Sequence, residues 1–180
     1  MRVGVYQDTT PSGNMGTVLD AVRNALTEAR NEGIDLMVFP ECYLTGYYHP
    51  ADEVAAVAQS VTPDVIAQLQ MMADTFGIAY IMGSYLPNGS GVDNVAFVMR
   101  PGISAPLIYT KRALFGEWEN VVFQRGDAPL FFDYLGVRCA VLICFDVVVL
   151  ESKSSQIMLV VVIFLNKAWK LFSFKIKAAF

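Results

Sequence analysis

An α/β domain is the fold class this 180-residue sequence predicts. Amphipathic helical segments alternate with short apolar runs, glycine or proline closes the segments, and no internal repeat or low-complexity tract interrupts the order. A chain of this length buries about 70% of its unfolded surface, enough for a single core. The hydrophobic fraction of 54% is high, with mean hydropathy +0.43, yet no apolar run approaches the roughly 20 residues of a membrane-spanning helix.

Val3 to Gln7 alternates as a strand does, and Pro11, Ser12, Gly13 and Asn14 make the loop that follows. Leu19, Val22, Leu26 and Ala29 then recur at helical spacing, with Asp20, Arg23, Thr27 and Arg30 between them and Gly33 as the stop. Ile34 to Phe39 reads as a short buried strand. Pro40 closes it because it has no donor for a ladder, which leaves Glu41 at the strand's carboxyl end. Thr62, Pro63 and Asp64 start a second helix whose apolar face is Val65, Ile66, Leu69, Met72 and Phe76, with Gly77 as cap. Further strands are expected at Ile78 to Tyr85, Asn94 to Met99, Leu107 to Tyr109 and Val137 to Ile143, with turns at Pro87 to Gly91 and Pro101 to Pro106. No linker divides these elements.

The total charge of −4 conceals an uneven distribution. All 17 acidic residues fall within residues 1 to 151 beside eight basic ones, a net −9. Residues 152–180 hold five lysines and no Arg, Asp or Glu, a net +5. The sequence therefore divides into a first part, residues 1–151, and an atypical basic, apolar tail, residues 152–180. That tail reads either as an amphipathic terminal helix or as a foreign or frame-shifted segment. The change from Arg to Lys and Phe together favours the second account. No basic stripe suits a nucleic acid, and the acid and turn formers of the first residues do not resemble a secretory signal. Three cysteines, Cys42, Cys139 and Cys144, without a CxxC pair fit a reducing compartment. The expectations are a cytoplasmic protein, a small-molecule partner, no nucleic acid and no membrane.

Phosphate-cradling and serine-elbow motifs are absent, and His49 is the only histidine. A multi-histidine metal site is excluded, and neither a cofactor nor a metal is expected. A thiol nucleophile here has to find its base among carboxylates, or its charge partner in a Lys or Arg. Three stretches provide such groups. Val38 to Tyr47 (VFPECYLTGY) places Glu41 after a strand, Tyr109 to Glu119 (YTKRALFGEWE) places Lys111 after another, and Val141 to Asp146 (VLICFD) places Cys144 at the end of a third. Phe123 and Gly126 add an F-x-x-G pattern after the second. In this order and spacing, over residues 1 to 151, the chain resembles the carbon-nitrogen hydrolases of the nitrilase superfamily.

The resemblance implies an α-β-β-α sandwich, here incomplete, and a Glu-Lys-Cys triad. By that analogy Glu41 is the general base, Lys111 the oxyanion stabiliser, Cys144 the nucleophile, and Glu119 a second glutamate that positions substrate and protons. The chemistry stands without the name. Amide carbonyls are poor electrophiles, so a thiol needs a base for its proton and a cation where oxygen becomes negative. Taken singly, Cys144 would be a packed core thiol, Lys111 a solvated lysine, and Glu41 and Glu119 ordinary helix acids; the constellation overrides each. Lys111 is the only lysine before residue 153, in a stretch that otherwise uses arginine. Cys42 reads as packing. Cys139, five positions before Cys144, points to the opposite face if one regular strand holds both. Tyr47, Trp118 and Phe145 are either pocket walls or core. Ala113 stands where relatives carry His, and Val149, Leu150, Glu151 and Ser154 replace the family's continuation after the cysteine. Missing layers would leave apolar sheet exposed, with Ile157 to Leu165 able to pair as a substitute strand. The functional expectation is an amidase-like hydrolase of small amides acting through a cysteine thioester, or more narrowly a nitrilase or carbamoyl hydrolase. The reading from another class is a truncated, inactive remnant or interaction fragment. A homo-oligomer is compatible with either.

Overall fold

Val3 and Val5 flank Gly4 in the first strand, β1 (Arg2–Val5), where β-branched side chains suit a pleated surface. The computed structural model of the chain describes residues 1–11, 14–149, 159–163 and 172–175. Helix α1 (Met15–Asn31) starts where Asn14 Oδ1 accepts the Thr17 amide, and it buries the expected stripe of Leu19, Val22, Leu26 and Ala29. The chain then turns through Gly33, whose φ of 63° is free of strain without a Cβ. After β2 (Leu36–Val38) come a short helix α2 (Val54–Gln59) and the longer α3 (Pro63–Phe76). The α3 caps are those the sequence indicates: Thr62 Oγ1 accepts the Val65 amide, Pro63 opens the helix, and Gly77 closes it at φ 67°.

Strands β3 (Ala79–Asn88), β4 (Gly91–Met99) and β5 (Leu107–Thr110) follow, then α4 (Gly116–Val122), β6 (Leu130–Tyr134), β7 (Val137–Ile143) and α5 (Asp146–Val149). Two strands lie beyond the first part of the chain, β8 (Leu159–Ile163) and β9 (Phe172–Lys175). The first sheet runs β5-β4-β3-β2-β1-β9, parallel at β1-β2-β3 and antiparallel elsewhere. The second runs β6-β7-β8, with β8 parallel to β7. The expected strand within Ile157 to Leu165 is thus present. Ser12 and Gly13 of the first loop, and the rest of the expected tail, lie outside the described residues.

Two apolar layers hold these elements. Val22 and Leu26 of α1 and Leu69 of α3 pack on Met37, Tyr80, Met82 and Phe97, one face of the first sheet. The opposite face, with Leu36, Val38, Ile81, Val98 and Tyr109, packs on Phe132, Cys139, Val141 and Ile143 of the second sheet. Helix, sheet and sheet are three of the four layers of the expected α-β-β-α sandwich. Ends of adjacent parallel strands form a crevice suited to ligands, and Glu41 sits at that end of β2. Among the described residues, no helix is long and apolar enough to cross a membrane.

The turn that carries Glu41 depends on a glycine in the neighbouring strand. A Cβ on Gly83 would stand 2.5 Å from both Pro40 O and Cys42 N, backbone atoms that have nowhere to go. The Leu44 amide also bonds Gly83 O at 3.0 Å, which ties the turn to β3. Gly83→Ala is expected to lower stability by about 2 kcal/mol, in the range of overpacked interiors, and to displace Glu41. Urea unfolding checks the first effect; an unchanged midpoint would contradict the close approach.

Candidate active site

The structure brings together all four expected residues, each from the end or first turn of a different element. Glu41 follows β2, Lys111 follows β5, Glu119 lies in α4, and Cys144 follows β7. Glu41, Lys111 and Glu119 are buried, with Lys111 wholly excluded from solvent. Lys111 Nζ donates to Glu41 Oε1 and to Glu119 Oε1, both at 2.7 Å. Neither glutamate depends on the lysine alone. Asn94 Nδ2 donates to Glu41 Oε1 at 2.9 Å, while Tyr47 OH donates to Glu119 Oε1 and the Phe115 amide to Glu119 Oε2 at 2.6 Å. The acid of α4 is therefore an internal ligand of the ammonium and not a solvated helix acid.

Burial raises the Glu41 pKa above the ordinary carboxylate range, against the lowering pull of Lys111 and of the hydrogen bonds from Lys111 and Asn94. For Lys111, burial pulls downward, but Glu41 and Glu119 outweigh it and the net direction is up. The ammonium is thus the stable form. Cys144 is half-buried; desolvation, then the Glu41 charge, push its thiol up to about 11. It interacts with the same carboxyl group whose Oε2 is buried without a conventional hydrogen-bond partner. Burial and the Glu41 charge thus both favour the protonated thiol.

The backbone carries the sulfur to this place by leaving the strand. β7 ends at Ile143, and Cys144 has a φ of 47°, in the left-handed region. The alternation that would send Cys139 and Cys144 to opposite faces is broken there: Cys139 is buried between the sheets, and Cys144 packs against the same cluster. The condition of one regular strand through both cysteines is therefore not met. Asp146 secures the turn, with Oδ2 accepting the Ile143 amide at 2.9 Å and Tyr109 OH at 2.7 Å. Its Oδ1 accepts the amides of Arg112 and Ala113 at 3.1 and 2.7 Å. One buried carboxylate thereby joins the chain just before Cys144 to the chain just after Lys111.

Sequence reasoning missed Asn94 and the work of Asp146. Asn94 is the first residue of an expected strand with nothing to mark it, and Asp146 enters the sequence reading only as part of a motif. The F-x-x-G pattern gains a reason. Gly126 donates its amide to Lys111 O at 2.9 Å, and a Cβ there would meet Thr110 O at 2.3 Å. Phe123 stacks edge-on against Tyr85 and Trp118. A cavity of about 220 Å³ beside Glu41 is lined by Asp8, Thr9, Thr10, Tyr43 and Tyr47 among others. Tyr47 is thus a wall; Trp118 packs behind it, 5.5 Å between ring centres, and Phe145 packs on Phe115. His49 bonds Thr45 O through Nε2 at 2.8 Å, a loop contact away from the four residues. Cys42 is fully buried and touches Asn94. Among the described residues, no three His, Cys, Asp or Glu side chains cluster as metal ligands do.

A sheet sandwich with a buried lysine between two glutamates, and a cysteine at a strand end, defines a class of hydrolase. The chain belongs to the carbon-nitrogen hydrolase family, which it matches over residues 2–162. It is 28% identical over 153 residues to an (R)-stereoselective amidase of Pseudomonas sp., a match that covers 84% of this chain and 54% of the amidase. It is 29% identical over 152 residues to a glutamine-dependent NAD(+) synthetase of Xylella fastidiosa, covering 81% of this chain and 27% of that one. The crystal structure of an amidase from Nesterenkonia sp. superposes with a TM-score of 0.71 at 26% identity, over 82% of this chain and 56% of the amidase. A mutant of that amidase has been crystallised with butyramide. The chain spans about half the length of these amidases and about a quarter of the synthetase.

Removing the cation would leave Glu41 and Glu119 facing one another in the dry interior. Lys111→Met is expected to cost about 3 kcal/mol at neutral pH, the lower end for a broken buried pair. The deficit has a sign in pH. Without the ammonium the folded-state pKa of Glu41 rises further above its unfolded value, so stability is regained as pH falls below the carboxylate range and lost as pH rises through it. Chemical denaturation at acid and neutral pH checks this, and a deficit that does not shrink on acidification would overturn it.

Proposed function

We propose that the chain hydrolyses the carbon-nitrogen bond of small amides through a thioester on Cys144. One observation carries the reading: Lys111 is clamped between two buried glutamates, and one of them, Glu41, keeps an oxygen without a partner and interacts with the Cys144 thiol. Glu41 takes the Cys144 proton as sulfur bonds to the carbonyl carbon. The oxygen that becomes negative is met by Lys111, which gives only two of its three protons to the glutamates. The tetrahedral intermediate then expels ammonia or an amine, which leaves with the proton held by Glu41, and the carbon remains joined to sulfur. Water, deprotonated by Glu41, attacks the thioester, the C–S bond breaks, and the acid departs with the thiol restored. Glu119 fixes Lys111 and, through Tyr47, the cavity wall.

Burial and the Glu41 charge both favour the protonated Cys144 thiol over a preformed thiolate, which supports a base-dependent step. The amidase matches and the butyramide complex of the Nesterenkonia enzyme support a short aliphatic amide as substrate. Nitriles and carbamoyl compounds are the narrower alternatives.

Ammonia release from butyramide is expected in the 180-residue protein and is expected to vanish in Cys144→Ala. Glu41→Gln should lower kcat by a factor of about a thousand or more, the upper part of the range for a positioned acid-base group. A folded protein with no turnover on amides, nitriles or carbamoyl compounds, and with Cys144 inert to iodoacetamide, would favour the inactive remnant instead.

A further inference from the structure

Glu41 has two carboxylate oxygens, and the proposed chemistry needs one of them free and aimed at sulfur. Oε1 is held twice, by Lys111 Nζ at 2.7 Å and Asn94 Nδ2 at 2.9 Å, and Oε2 is left without a conventional partner. The lysine, a point charge on a long stem, can serve either oxygen; the planar amide on a rigid strand is directional. Asn94 is wholly buried on β4 and makes three contacts at this centre. Besides its bond to Glu41, its carbonyl accepts the Lys111 amide at 2.9 Å, and its Oδ1 accepts from the Cys42 thiol at 3.5 Å.

These contacts fix which end of the amide faces the base. An ionised carboxylate only accepts, so Nδ2 has to face Glu41, and Oδ1 then needs a donor on its far side. Cys42 supplies one. Its thiol, pushed far up by burial and then by the Glu41 charge, keeps its proton and remains a donor. Were that donor absent, the amide could turn over and offer Oδ1 to a protonated Glu41, which would stabilise the form unable to act as a base.

We infer that Asn94, oriented by the Cys42 thiol, is a positioning residue that holds Glu41 ionised by its Oε1 and leaves Oε2 to take the Cys144 proton. The inference rests on the base role proposed above. Lys111, Glu119, Cys144, Cys42, Tyr47 and Tyr85 are the titratable groups that act with Glu41, and the substitutions below leave the first three and both tyrosines in place.

The test measures kcat/KM for butyramide and, independently of turnover, the rate of Cys144 alkylation by iodoacetamide, followed by peptide mass mapping from mildly acidic to mildly alkaline pH. Asn94→Leu should shift the acid limb of both profiles to higher pH, with a loss of about tenfold at the acid end that recovers toward the alkaline end, as loss of one hydrogen bond to a charged group requires. Cys42→Ala should shift it the same way and Cys42→Ser should restore it, since a hydroxyl can donate to Oδ1. If Asn94→Leu does not fold, the Cys42 pair carries the test. A uniform loss at every pH, or a Cys42→Ala profile identical to wild type, would overturn the inference. Failure of the base reading looks different: the wild-type acid limb would then survive Glu41→Gln, and the inference would fall with it.

Discussion

A buried ammonium is the constraint to which the rest of the structure answers. Lys111 has no exposed surface, and a charge moved out of water loses several kcal/mol of solvation that only close counter-charges can offset. Two carboxylates at 2.7 Å do so, but they leave a cluster with a net charge of −1. Three neutral donors then spread that excess: the Asn94 amide, the Tyr47 hydroxyl and the Phe115 backbone. The four elements that supply these groups and the lysine must therefore meet to within hydrogen-bond tolerance. Gly83 and Gly126, where a Cβ would collide with neighbouring backbone, are where the chain makes room for that meeting.

The second sheet enters the same arrangement through Asp146. Its carboxylate accepts backbone amides from both sides of the intersheet layer, beside Lys111 and beside Cys144. The distance between the proposed nucleophile and the proposed oxyanion cation is thus set by four hydrogen bonds to one buried side chain, in addition to apolar packing between sheets. β8 extends the sheet that holds Cys144, and β9 pairs with β1 at the edge of the other. Segments beyond residue 152 are thereby integrated into both sheets, although their composition differs sharply from the rest.

How much was legible in the sequence follows from how local each signal is. α1 and α3 were readable because seventeen and fourteen residues carry a repeating apolar stripe, and because Asn14, Thr62, Pro63 and Gly77 mark their ends. α2, α4 and α5 were not, since four to seven residues hold too few turns to show a period. β6 escaped for a different reason. It pairs with β7 across Leu135 and Gly136, both at positive φ, and a leucine stands where a readable hairpin would have Asn or Asp. At the site, Glu41, Lys111, Glu119 and Cys144 were visible as a pattern of types in order. Asn94 was invisible because its importance lies in the orientation of an amide, and the register of β4 against β3 and β5 is what places it. The parity rule for Cys139 and Cys144 does not apply, because it holds only while the strand continues and β7 stops at Ile143.

Two of the three cysteines, Cys42 and Cys144, occupy left-handed backbone at φ 52° and 47°. Each such residue with a Cβ costs roughly 1–2 kcal/mol relative to an unstrained conformation, and glycine at the same place would be nearly free of that strain. Glycine at either position would relieve backbone strain, but at position 42 it would also empty the space that the Cys42 side chain fills in the cluster with Tyr85 and Val92, so strain and packing pull in opposite directions there.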